Sequence, residues 1–170
     1  ASGQINGTVD SLSAILDEKT LVWNGSAWVL ETTSNPAWWF LNFARGRYNP
    51  NTGVLDYGGG LPDVEIDLEL IKEWGAWCDT KALQINFVFD TKMPVEDTLN
   101  LISRVGRATL SFHTGKLGVV YDEDNRPVSY NFGMSNILED TFSVTYLSER
   151  LSDQIIVNFV NEDNNYLQDQ

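Results

Sequence analysis

The sequence predicts an α+β fold in which antiparallel strands and hairpins pack with about three helices. Three segments place apolar residues at helical spacing, and several shorter runs are rich in β-branched and aromatic residues. Strands come first, then two helices, then a strand, a helix and a hairpin, and finally more strands. This order of elements is typical of an α+β domain.

The first predicted elements are strands. Residues 4–12 alternate weakly between apolar and polar and are predicted as a strand. Two β-rich runs follow, Leu21–Trp23 and Trp28–Leu30, with Asn24 and Gly25 between them. Asn-Gly between apolar runs is a strong hairpin signal, so we predict a hairpin here.

The first predicted helix runs from Pro36 to Ala44. Proline favours the first helical position, Asn35 can cap the free N–H groups, and Gly46 ends the pattern. Residues 45–63 are predicted as a loop that holds three consecutive glycines at 58–60. The loop is longer than a compact domain usually needs, which indicates a function or an interface.

The second predicted helix runs from Asp63 to about Cys78. Four apolar residues recur along it at steps of four, four and three, which places them on one helical face. We expect this face to pack against the helix of Trp38 and Leu41. Its members are Ile66, Leu70, Trp74 and Trp77.

The second half of the chain is predicted to contain a third helix, Val95–Val105, followed by Gly106 in a left-handed conformation. Strands are predicted at residues 83–89, 108–112, 117–121, 142–146 and 154–160, and a polar, frayed end at 161–170. We divide the chain into residues 1–80, residues 81–140 of the same α+β domain, and residues 141–170, strands leading to a missing continuation.

The charge of the chain excludes several classes of function. It has 11 Lys and Arg against 24 Asp and Glu, a net charge of −13, so we expect no binding to nucleic acid or to a membrane surface. The longest apolar stretch, residues 37–44, is far shorter than the roughly 20 residues of a spanning helix. Residues 1–10 lack the features of a signal peptide.

No pattern in the sequence predicts catalysis, a metal or a cofactor. The chain has one cysteine, Cys78, and one histidine, His113, so neither an internal disulfide nor a multi-cysteine zinc site can form. Cys78 is interpreted as a buried, unreactive thiol and His113 as a turn residue. A small hydrolase that uses His113 is an alternative, but nothing orients such a base. The acidic residues at 65, 67, 69 and 73 are interpreted as a solvated face.

The six tryptophans all lie in the first half of the chain. One interpretation is a tryptophan-rich core between the hairpin and two helices. The alternative is a carbohydrate-binding module with exposed tryptophans, because aromatic platforms bind sugars and anchor interfaces. The adjacent Trp38 and Trp39 must point in different directions on a helix, so one of them is a candidate for an intermolecular contact.

Two motifs and the order of the elements resemble the tail-tip host-specificity family (protein J) of lambda-like tailed phages, in its central tail-hub region. The helix that begins Asn35-Pro36-Ala37-Trp38 is similar to that family's Asn-Pro-Ala-Trp segment. The end of the second helix, Trp77-Cys78-Asp79, is similar to a family helix that ends in an aromatic residue, Cys and Asp. The resemblance extends from about residue 4 to 165 and departs from the family pattern at 48–62.

The resemblance implies a structural role in a trimeric hub at the end of the tail tube, without enzymatic activity. It implies copies of the chain and other tail proteins as partners, and a location at the virion tail tip after assembly in the bacterial cytoplasm. Because Arg and Tyr are enriched at interfaces, the loop at 45–63 is the candidate contact surface. Its candidate residues are Arg45, Arg47, Tyr48 and Tyr57.

Overall fold

A computed structural model describes residues 17–89, 91–113, 115–124, 128, 130–146, 154, 156–161, 164 and 167–170. It contains three helices and several two-stranded antiparallel sheets, so the predicted α+β class is confirmed. The chain forms two compact units, residues 1–125 and 126–170. This division falls inside the range 81–140, which the sequence assigned to one part. The strand predicted at 4–12 lies outside the described residues.

The first hairpin is confirmed. Strand β1, Lys19–Trp23, pairs with β2, Trp28–Thr32, in an antiparallel register. The Oδ1 atom of Asn24 accepts hydrogen bonds from the backbone N–H of Ser26 at 3.0 Å and of Ala27 at 2.9 Å. The asparagine side chain therefore closes the longer loop that Ser26 and Ala27 create.

Helix α1, Pro36–Arg45, begins at the predicted residue and ends one residue later than predicted. Gly46 follows it with φ of 68°, a conformation that favours glycine, and its N–H donates to the Asn42 carbonyl at 2.9 Å. Most of the helix is buried, as its apolar composition predicts. The buried residues are Pro36, Ala37, Trp38, Phe40, Leu41 and Ala44.

The prediction of a structureless loop at 45–63 is wrong in its middle. Strands β3, Arg47–Tyr48, and β4, Leu55–Tyr57, form a small antiparallel hairpin. The N–H of Asn49 donates to the Val54 carbonyl at 2.8 Å, and Gly53 turns the chain with φ of 67°. Strands of two and three residues are too short to produce a periodic pattern, so no strand could be predicted here from the sequence.

Helix α2, Leu68–Thr80, begins later than the predicted Asp63. A turn of 3₁₀ helix covers Asp63–Glu65, and Ile66 then forms a bridge with the strand residue Leu117. The Asp67 side chain accepts the N–H of Leu70 at 3.3 Å and so caps the true helix start. Asp63 and Glu65 therefore precede α2, and Asp67 is its cap.

The predicted face of α2 is partly wrong. Trp74 is fully buried as expected, but Leu70 and Trp77 are only half-buried, and Ile66 lies before the helix. The buried face is shifted by one position, because α2 packs against both α1 and the strand Lys116–Tyr121. Its buried members are Ile71, Trp74, Gly75 and Cys78.

Helix α3, Val95–Val105, and the hairpin of β5, Ala108–His113, with β6, Lys116–Tyr121, are confirmed. Gly106 is not left-handed as predicted, since its φ is −82°, and Arg107 has the positive φ of 48° instead. Glycine is required at 106 for another reason. A Cβ there would collide with the indole ring of Trp74.

Two predicted strands are not strands in the structure. Residues 83–89 and 142–146 pair with no strand among the described residues. Apolar alternation makes a strand only where a partner strand is within reach. Here the Leu83 N–H donates to the Cys78 carbonyl at 3.0 Å and the Ile85 N–H to the Ser34 carbonyl at 2.7 Å, and neither acceptor lies in a strand. In the C-terminal unit, β7 begins at Phe159 instead of residue 154 and pairs with β8, Leu167–Asp169, within the end predicted to be frayed.

The core of the first unit lies where α1 packs against α2 and α3. Trp38 crosses α2 at Gly75, and a Cβ at Gly75 would lie 2.5 Å from Trp38 Cζ2. The two helices can approach this closely only because position 75 has no side chain. The sheet of β5 and β6 covers α3 and α2, which completes the core.

We expect Gly75→Ala to destabilise the protein, although alanine is the better helix former by about 1 kcal/mol. The added methyl group would overlap the Trp38 ring, and overpacking of this kind costs about 1–3 kcal/mol. Urea unfolding measures the net change. The control is Ala76→Gly at an exposed position of the same helix, which should lose only the propensity difference. An increase in stability for Gly75→Ala would contradict the close contact.

Candidate functional site at the junction of two helices

The Asn35 side chain connects the start of α1 with the end of α2. Its Oδ1 atom accepts the backbone N–H of Ala37 at 2.9 Å, which caps α1. Its Nδ2 atom donates to the Gly75 carbonyl at 2.9 Å and to Asp79 Oδ1 at 2.7 Å. Asn35 is 4% exposed. Its buried side-chain amide therefore forms hydrogen bonds with two helices that are about 40 residues apart in the sequence.

This junction brings together the two motif segments on which the family resemblance depends. Pro36 and Ala37 are buried at the first turn of α1, and Trp38 lies against Gly75 of α2. Asp79 reaches back to Asn35 from the last turn of α2. The sequence placed these residues in two separate motifs and gave no sign that they touch.

Trp77 and Cys78, the other motif residues, have different surroundings. The ring of Trp77 is half-buried and lies 5.2 Å from that of Tyr121, while Lys81 Nζ lies 5.9 Å from its centre. Cys78 is buried, as the sequence predicted. Burial raises the pKa of the Cys78 thiol to about 12, and the nearby negative charge of Asp79 adds to the effect. Because the thiolate is the nucleophile, the raised pKa disfavours reaction of Cys78 near neutral pH.

The raised pKa predicts that stability falls at alkaline pH. An unfolded thiol ionises near pH 9, whereas the folded thiol keeps its proton until about pH 12. Between these values the unfolded state alone releases the proton, so the free energy of unfolding decreases as pH rises. We expect the free energy of unfolding to fall less between about pH 8 and about pH 11 in Cys78→Ala than in the wild type. Urea unfolding at several pH values measures this difference. Equal pH dependence in both proteins would mean that the thiol ionises normally when folded.

Two of the candidate interface residues are held by contacts within the chain. Arg45 forms a bidentate pair with Asp63, at 2.7 Å from Nε and 3.0 Å from the second guanidinium nitrogen. Its guanidinium also lies 5.1 Å from the Trp28 ring centre. The Tyr57 hydroxyl donates to Asn42 Oδ1 at 2.7 Å. Arg45 and Tyr57 therefore fix the 45–63 segment to the domain.

The other two candidates, Arg47 and Tyr48, are exposed. The Arg47 guanidinium lies 5.2 Å from the Tyr57 ring centre, and its nearest carboxylate, Asp56, is 3.9 Å away. The Tyr48 hydroxyl donates to the Gly60 carbonyl at 3.2 Å, while the residue remains 52% exposed. Of the four predicted contact residues, these two are accessible to a partner.

None of the six tryptophans, all of which the structure describes, is exposed. Trp38 and Trp74 are buried, and Trp23, Trp28, Trp39 and Trp77 are half-buried. The rings of Trp23 and Trp28 meet edge to face, at an interplanar angle of 60°, and Lys72 Nζ lies 4.1 Å from the Trp23 ring centre. This burial supports the tryptophan-rich core, whereas the carbohydrate-binding alternative calls for exposed tryptophan rings.

Three of the acidic residues interpreted as a solvated face lie at the surface. Glu65, Glu69 and Glu73 are exposed, and Glu69 pairs with Lys72 at 2.8 Å. His113 is the last residue of β5. Among the described residues, no three His, Cys, Asp or Glu side chains are grouped as metal ligands. No helix in that part is long and apolar enough to cross a membrane.

Gly75 was not identified from the sequence, and Gly106 was identified there only as a helix-ending residue. A tryptophan ring packs against the backbone of each glycine: Trp38 at Gly75 and Trp74 at Gly106. A glycine inside an amphipathic helix signals close packing, so Gly75 could have been found from the sequence. The Trp74 indole N–H also donates to the Gly106 carbonyl at 2.9 Å.

Comparison of this chain with protein-family models, with curated proteins and with solved structures finds no match. Function is therefore inferred from the residues and from their contacts. The most informative contact is the one between the two motif segments, at Asn35 and Asp79.

Proposed function

We propose that this chain is a structural domain of a larger assembly and does not act as an enzyme. The polar side chains at the helix junction support this role, because their hydrogen bonds connect helices of the fold. Asn35 holds α1 to α2, and burial raises the pKa of the thiol of Cys78, the residue before Asp79. The net charge of −13 supports protein partners over nucleic acid or membrane.

Within that class, the proposal is a tail-tip or tail-hub protein of a phage or prophage, related to host-specificity protein J. The domain would serve tail assembly and, indirectly, host attachment. One observation carries the proposal. Asn35 and Asp79, which belong to the two motifs similar to that family, are hydrogen-bonded at 2.7 Å although 44 residues separate them. Paired motifs of this kind are explained by a shared structural role.

The proposed partners are copies of the same chain in a trimeric hub and other tail proteins. Arg47 and Tyr48 are the proposed contact residues, because both are exposed and their residue types are enriched at interfaces. The proposed location is the virion tail tip, reached after assembly in the bacterial cytoplasm. Alanine substitution of both residues in the full-length protein should then impair tail assembly, and normal tails would show that the contact lies elsewhere.

Immunogold labelling tests the proposed location. Antibodies raised against this 170-residue chain should label the tip of tailed particles released from the producing bacterium. Antibodies against an unrelated cytoplasmic protein of the same bacterium provide the control. Particles that carry no label, or label on the head alone, would overturn the tail-tip assignment.

The isolated chain should be monomeric or associate weakly. Its charge of −13 makes like copies repel, and screening at physiological salt acts only beyond about 8 Å, so close acidic faces still oppose contact. Sedimentation velocity at rising protein concentration measures this. A tight trimer at micromolar concentration would contradict the expectation.

A further inference from the structure

An apolar groove of about 260 Å³ lies in the first unit, where the start of α3 faces the β5–β6 hairpin. Leu99 and Leu117 are buried and form its floor, whereas Val95 and Phe112 stand at its rim with 40% and 70% of their surface exposed. Six apolar side chains line it: Leu61, Val95, Leu99, Leu110, Phe112 and Leu117.

Backbone hydrogen bonds hold the glycine-containing side of the groove against α1. The N–H of Gly59 donates to the Phe43 carbonyl at 2.8 Å, and that of Leu61 donates to the Ala44 carbonyl at 3.0 Å. A Cβ at Gly59 would lie 2.9 Å from the Ala44 carbonyl oxygen and 3.3 Å from Val95 Cγ1. The groove is therefore already formed in the free chain, which lowers the entropy cost of filling it.

Among the described residues that line the groove, Glu96 is the only charged one. It is exposed, and in the described part of the chain it forms no ion pair. The whole chain carries −13, so the field around the groove favours a cation. An apolar floor beside an unpaired carboxylate fits a ligand with an apolar part and a basic part.

We propose that this groove binds a peptide segment of a partner protein, in which one large apolar side chain is flanked by Lys or Arg. The apolar side chain fills the groove, and the basic neighbour pairs with Glu96. The volume lies below the roughly 300–1,000 Å³ of small-molecule pockets. Several convergent polar groups orient such ligands, whereas Glu96 is the one polar side chain among the described lining residues. A second copy of the chain is disfavoured because it carries the same −13. The inference does not depend on the tail-tip assignment.

Three synthetic hexapeptides test the proposal by NMR titration of the ¹⁵N-labelled 170-residue chain. One carries a central phenylalanine flanked by lysines, the second replaces the lysines with glutamates, and the third replaces the phenylalanine with alanine. We expect the lysine–phenylalanine peptide to shift the amide signals of Leu99, Leu110 and Phe112, and the other two to bind more weakly. Equal binding by the lysine and glutamate peptides would overturn the proposal, as would no shift at these residues with any peptide.

A charge reversal sharpens the test. Glu96→Arg should weaken binding of the lysine peptide by about two- to fivefold or more, the value of an exposed ion pair, and strengthen binding of the glutamate peptide. Asp97→Arg is the matched control, since it makes the same charge change at the next exposed residue of α3, outside the groove. Equal effects of the two variants would overturn the role of Glu96.

Two further outcomes concern the apolar part of the groove. Phe112→Ala alters a side chain that is mostly exposed, so the protein should fold, yet it should lose affinity for the lysine–phenylalanine peptide. Unchanged affinity would contradict the proposed site. Signals of Leu99 and Leu110 that shift with protein concentration alone would show that the groove binds a second copy, which would overturn the proposal of a basic partner.

Discussion

Trp74→Ala should leave little folded protein. Trp74 is fully buried, its ring meets Phe40 edge to face at 5.5 Å, and its indole N–H donates to the Gly106 carbonyl. Truncation of a buried tryptophan costs about 3–5 kcal/mol, and it would also leave the Gly106 carbonyl without this donor. A domain has only about 5–15 kcal/mol of stability, so we expect most of the soluble yield to be lost.

Trp77→Ala is the matched control for this prediction. It removes the same side chain from the same helix one turn later, but Trp77 is only half-buried. We expect it to retain a cooperative urea transition with a smaller loss of stability than Trp74→Ala. Trp74→Phe keeps a ring in the core and gives a measurable intermediate if the alanine variant is insoluble. Similar losses at positions 74 and 77 would show that the buried face of α2 is the one predicted from the sequence.

Asn35→Ala should be the second most damaging change, at about 2–3 kcal/mol. It removes the cap of α1, which is worth about 0.5–2 kcal/mol, and both hydrogen bonds to α2. Asp79→Ala removes only one of these bonds, at an exposed residue, and should cost much less. Thermal or urea unfolding of both variants compares the two losses, and equal losses would contradict the central position of Asn35.

An exchange of the two side chains tests the bond itself. Asn35→Asp keeps an oxygen that can cap α1 but places a carboxylate against Asp79, so we expect it to destabilise the protein near neutral pH. Adding Asp79→Asn restores one donor and one acceptor across the contact and should recover part of the loss. A coupling energy close to zero in this double-mutant cycle would mean that the two residues do not interact in solution.

The local elements of this protein follow from short-range signals in its sequence. Asn24 and Gly25 predicted the first hairpin, Asn35 and Pro36 predicted the start of α1, and α3 was found with both of its ends. These signals are physical properties of a few neighbouring residues: a side chain that caps free N–H groups, a fixed φ, or an apolar period. They act before any distant part of the chain is in place, so they can be read from sequence alone.

Tertiary contacts decided what the local signals left open. The alternation at 83–89 predicted a strand, but no strand of the described part lies alongside to accept its hydrogen bonds. The buried face of α2 depends on where Asp67 caps the helix and on the ring of Trp38, which requires Gly75. The sequence also contained both Asn35 and Asp79 as motif residues, yet their hydrogen bond exists only because α1 and α2 pack together. A contact across 44 residues depends on the relative placement of whole elements, which short-range patterns do not encode.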